Sequence, residues 1–204
     1  MHQDRPADGT AGNILNCGLP DARANRAEPS RAEPRELNDP SRFHSFHYDL
    51  DVQRAAQVKN MGAVEGKPIL SSKEWEDVKA GGDRAIRAWI AEQMAGKSCS
   101  VVLIGTQTAG RPCIEYEFTK AWNDGKGVLG VHIHNLKDLA GNQSRKGANP
   151  FAGKVAGTGS SAVRLGLVVP VVDPPFRGST EVYAHIRDNL ATWVDQAVGV
   201  RVRY

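Results

Sequence analysis

A chain of 204 residues with a formal net charge of +3 fits one domain with a sizeable core. A basic excess that small and scattered gives no footprint for nucleic acid, and with no stretch of transmembrane length no membrane partner is expected. The N-terminus, MHQDRPADGT, lacks the apolar core of a signal peptide. Cys17, Cys99 and Cys113 have no CxxC spacing and argue for a reducing compartment and against zinc, so a cytoplasmic location is expected.

Residues 1–42 are rich in Pro, Arg, Glu and Ala and repeat RAEP at Arg26–Pro29 and Arg31–Pro34. They offer too little apolar surface to offset ordering entropy and read as a disordered tail, leaving 43–204 as the folded domain. Phe43–Tyr48 (FHSFHY) reads as a strand, and Asp49 or Asp51 can cap the helix that follows it. Gly62–Leu70 is a loop with a possible short strand. Ser71-Ser72-Lys73-Glu74 fits a capping box for a short helix carrying Trp75 and Val78. After Gly81-Gly82, Asp83 can cap RAIRAWIAEQMAG, whose Ile86, Trp89, Ile90 and Met94 recur at helical spacing.

Val101–Ile104 is an unbroken apolar run followed at once by a Gly/Thr loop, the pattern of a strand covered on both faces. Pro112 suits a first helical position, and Ile114, Phe118, Ala121 and Trp122 make one apolar face. Glu117 lies about 100° round from Phe118, off the centre of that stripe, where it can reach the crevice edge. It can equally be a solvated carboxylate beside Glu115. Val128–His134 reads as a further strand, Asn135–Ala162 as a long polar loop, Val163–Val172 as another strand ended at an edge by Pro170, and Thr180–Val198 as a last helix. Strands alternating with helices predict a doubly wound α/β domain with helices on both faces of a parallel sheet, whose crevice at the strands' carboxyl ends takes ligands.

Three further signals carry little. Gly157-Thr-Gly159-Ser-Ser-Ala162 matches G-x-G-x-x-A but precedes a strand, where a dinucleotide fingerprint must follow one. His132 and His134 share a strand face, but no nearby residue supplies the third ligand a metal needs, so none is expected. Cys113 near a helix N-terminus is either a nucleophile or a small buried residue, with no His close in sequence as its base.

FHSFHYDLDVQRAAQVKN, GDRAIRAWIAEQMAGKSCSVVLIGTQTAGRPCIEYEF, GVHIHNLKD and KGANPF, in that order over roughly residues 42–198, resemble the Thoeris ThsB TIR-like family of bacterial antiphage defence. The resemblance implies a flavodoxin-like TIR fold with a five-stranded, mostly parallel sheet. It also implies cleavage of the nicotinamide–ribose bond of NAD+, taken as substrate with no bound cofactor, and production of a cyclic ADP-ribose isomer that activates a ThsA-type effector. Homo-oligomerisation is a further implication. Against the family's W-C-x-x-E-type run, Cys113 stands at the Trp position, Ile114 at the Cys position and Glu117 at the catalytic Glu. Ser45, Phe46, His47, His134, Asn135 and Asn149 are candidates to line the NAD+ crevice, and strand-end packing or turn chemistry is the alternative for each. Loss of nicotinamide, already cationic, leaves an oxocarbenium-like ribosyl cation that one carboxylate can stabilise. The rival expectation is a non-catalytic TIR-like nucleotide-sensing or protein-interaction module.

Overall fold

The computed structural model describes residues 42–61, 78 and 80–204. Its main sheet holds β1 (Arg42–Ser45), β2 (Cys99–Ile104), β3 (Gly127–His132) and, at the end of the chain's strands, β6 (Val171–Val172). They lie in the order β1-β2-β3-β6, and every neighbouring pair is parallel. Every residue of β2 and β3 is buried, as strands covered on both faces must be. The covering helices are α1 (Tyr48–Lys59), α2 (Gly82–Met94), α3 (Pro112–Asn123) and α5 (Ser179–Arg203).

Alternation along the strands sorts the core into two layers. Phe43, Val102, Ile104 and Val128 pack with Ile86, Trp89, Ile90 and Met94 of α2 and with Ile114, Phe118 and Trp122 of α3. Val101, Leu103, Leu129 and Val131 pack on the other side with Ala55 and Val58 of α1 and with Val182, Ile186, Leu190 and Val194 of α5. The long segment after β3 is tied down by Phe151, fully buried and edge-on to Phe118 with ring centroids 5.0 Å apart. No helix among the described residues is long and apolar enough to cross a membrane.

Several elements differ from expectation. The sheet has four strands among the described residues where five were expected. The possible strand in 62–70, the capping box and Trp75, and the tail 1–41 lie outside those residues. The run 163–172 is no single strand. Its start, β5 (Val163–Arg164), pairs antiparallel with β4 (Val155–Ala156), a one-turn α4 (Leu165–Val168) follows, and only Val171–Val172 joins the main sheet, at its edge. An apolar run carries no periodicity to tell these states apart. Gly157 and Gly159 sit in the β4–β5 connection with a short 3-10 turn, Gly157 at φ 81°, so the G-x-G-x-x-A match is hairpin chemistry. The N-cap of α1 is His47, whose Nδ1 accepts from the Leu50 N–H at 3.3 Å, and that of α2 is Gly81 with Asp83 in the first turn.

Candidate functional site

Pro112 opens α3, and that start sets which residues face the sheet. Cys113, Ile114, Glu117, Phe118, Ala121 and Trp122 are buried, so the inward stripe is wide enough to include a carboxylate. Glu117 has no exposed surface. It therefore lies beneath the crevice and not at its edge, and the solvated carboxylate of this helix is Glu115, paired with Lys154. Ser45, the last residue of β1, shares the face of Phe43 and donates its hydroxyl to Glu117 Oε2. Glu117 Oε1 has no hydrogen-bond partner among the described residues. Burial pushes the Glu117 carboxyl up to about 8, and the Ser45 hydroxyl opposes that only in part. The site holds a protonated acid at neutral pH, one hydroxyl against it and one oxygen unengaged.

Just past the end of β2 three segments meet at two glycines. A Cβ on Gly105 would lie 2.0 Å from Asp51 Oδ2, and one on Gly147 would lie 1.8 Å from the Gly105 carbonyl oxygen. The turn after β2 is held by Thr108, whose Oγ1 accepts from the Gly105 N–H at 2.9 Å, and by Thr106, which donates to the Arg145 carbonyl at 2.8 Å. Arg54, nearly buried on α1, reaches across to the segment after β3. It donates to the carbonyls of Leu136 and Asn142 at 2.9 Å each and to Asp138 Oδ2 at 3.2 Å, and lies 3.6 Å from Asp51 Oδ1. Burial raises the Asp51 carboxyl to about 6, against the pull of that guanidinium.

The remaining candidates divide. Phe46 is packed in the opposite core layer, with Ala55 and Leu129, so its ring does not line the Ser45 face. His47 is buried and serves as the α1 cap. Asn135 Nδ2 donates to the Phe176 carbonyl at 2.8 Å, and Asn149 Oδ1 accepts from the Phe151 N–H at 2.9 Å, both turn-holding contacts. His134 stacks edge-on to His132 with ring centroids 5.8 Å apart, and its Nδ1 is 3.9 Å from Asp173 Oδ1. Burial holds both imidazoles below their ordinary values, His132 at about 4. The geometry thus brings Ser45 to Glu117 and places His134, Asn135 and Asn149 on other contacts. Sequence reasoning missed Arg54 and Asp173. A lone Arg on an amphipathic helix reads as solvated, and Asp173 reaches the histidines only through the pairing of β3 with β6.

Residues 43–138 match the family described as Thoeris protein ThsB, TIR-like domain. That segment is similar to the Thoeris ThsB TIR-like domain. It is also 35% identical over 114 residues to a protein of Bacillus cereus (strain MSX-D12) named "Putative cyclic ADP-D-ribose synthase ThsB1", covering 53% of this chain and 59% of that one. The chain thus spans under two thirds of that relative's length. The ThsB TIR-like match contains β1, α1, α2, β2, α3 and β3, and with them Ser45, Glu117 and His134.

Proposed function

We propose that this ThsB-type chain cleaves the nicotinamide–ribose bond of NAD+ and cyclises the ADP-ribose product, with Glu117 as the catalytic residue. The observation that carries the reading is a buried carboxyl paired with the last residue of β1, within the matched segment. The name of the Bacillus cereus relative, "Putative cyclic ADP-D-ribose synthase ThsB1", supports it.

Nicotinamide leaves NAD+ without needing a proton, so the protein's task is to stabilise the ribosyl cation. A protonated Glu117 cannot do so. The positive pyridinium favours ionisation when NAD+ binds, and Ser45 holds one oxygen while Oε1 is left for the ribose. Cyclisation requires the adenosine half of the same molecule to reach the cation before water does, which a largely apolar surround favours. Because Glu117 has no exposed surface, catalysis proceeds from an opened form. In this reading the product is a diffusible cyclic ADP-ribose isomer acting on a ThsA-type effector, the compartment is the cytoplasm, and self-assembly is one way to open the site.

The same burial favours a second reading, a non-catalytic module in which the crevice or helices bind a partner and Glu117 only packs. The experiment uses cells carrying the wild type or Glu117→Gln, challenged with phage and extracted for mass spectrometry. Nicotinamide and an ADP-ribose isomer that appear with the wild type and vanish with the variant support the enzyme. Protection by the wild type with no such product supports the module.

A further inference from the structure

We propose that His132, His134 and Asp173 form a binding site for a divalent transition-metal ion of the zinc class. β3 and β6 pair in parallel with Val131 opposite Val172, so the next residues along, His132 and Asp173, leave the sheet side by side. His134 follows His132 at the alternate position and turns its ring onto it. One donor atom from each of the three side chains lies within 4.8 Å of the others.

Two observations single this cluster out from an ordinary polar strand end. His132 is 4% exposed, yet among the described residues its Nδ1 has no hydrogen-bond partner, and neither has the Nδ1 of His134. The separation of 3.9 Å between His134 Nδ1 and Asp173 Oδ1 is too long for a hydrogen bond but suits two donors around one ion after modest contraction. Asp173 is already oriented, because its Oδ2 takes the ammonium of Lys146 at 2.7 Å while Oδ1 faces the histidines. Two imidazoles and one carboxylate match the protein ligands of an open zinc site, which leaves a position for water or a phosphate oxygen. The sequence pointed to no metal because its third ligand is remote along the chain and adjacent only in the sheet.

The test uses the full, tag-free chain titrated with Zn2+ alone by calorimetry and with Co2+ alone by visible absorption. One ion per chain, a Zn2+-dependent rise in Tm and the strong absorption of low-coordinate Co2+ are expected. Asp173→Asn, at a partly exposed position that leaves the core intact, is expected to weaken Zn2+ at least tenfold with an unchanged circular dichroism spectrum. His132→Gln is expected to do the same. A wild type that takes up no Zn2+, or Asp173→Asn binding it as tightly as the wild type, overturns the proposal. Neither readout depends on NAD+, so this site and the catalytic reading fail separately.

Discussion

Glu117 is held neutral by its surroundings, and this sets a sign for stability against pH. Its carboxyl rises from 4.5 to about 8 on folding. Between those values the unfolded chain has lost the proton and the folded chain keeps it, so stability falls as pH rises, by up to about 1.4 kcal/mol per pH unit for one proton. Above the folded value the loss is complete. Glu117→Gln removes that slope, and urea titrations of both proteins across this range are expected to diverge; parallel curves would mean that Glu117 is ionised in the fold. Under the catalytic reading, kcat/KM for NAD+ rises with pH toward a plateau above about 8, since it reports the free enzyme. Ser45→Ala removes the hydroxyl that favours the carboxylate, so its profile is expected to shift to higher pH, which lost packing alone would not do. The spacing of α3 was enough to mark Glu117 as the odd polar residue near an apolar stripe. Its full burial was not legible, because the covering wall includes Ser45, 72 residues away.

At the scale of elements, Arg54 ties α1 to the segment after β3 through the carbonyls of Leu136 and Asn142 and the Asp138 carboxylate. Arg54→Met leaves Asp51 and Asp138 without their cation and the carbonyls of Leu50, Leu136 and Asn142 without its N–H donors, and is expected to cost about 3–5 kcal/mol, read by urea unfolding. Gly147→Ala drives a methyl into the backbone of Gly105 and Thr106. It is expected to lower Tm by several degrees, and an unchanged Tm would show that the 147 segment lifts freely. The helices were legible because their apolar positions repeat; Ile86, Trp89, Ile90 and Met94 are all buried as the spacing of α2 requires. The run 163–172 was not. Gly166 packs tightly against the Phe151 carbonyl, a Cβ there lying 3.0 Å from its oxygen, and a one-turn helix forms where the letters alone favour a strand. In α5 the buried stripe runs through Val182, Ile186, Leu190, Val194 and Ala197, and Trp193 beside it is only partly buried.

Over the whole molecule the sheet is assembled from pairs of very different range. β2, α3 and β3 form one continuous parallel unit from Cys99 to His132, whereas β1 and β6 arrive from distant parts of the chain. Amide exchange is expected to be slowest in β2 and β3, whose residues are all buried, and faster at the edge in β6. The alternation of strands and helices was enough to predict a parallel α/β domain. Strand register was not, and register is what brings Asp173 to the histidines and Ser45 to Glu117.

That division has a kinetic corollary. Contacts close in sequence form at smaller entropic cost than distant ones, so the β2-α3-β3 unit is favoured to condense first, with Glu117 still in water and ionised at neutral pH. Docking of β1 then seals the carboxyl and obliges it to take up a proton from solvent. Refolding in a weakly buffered solution containing an indicator dye would time that late step as a small alkaline jump, one proton per chain, absent from Glu117→Gln.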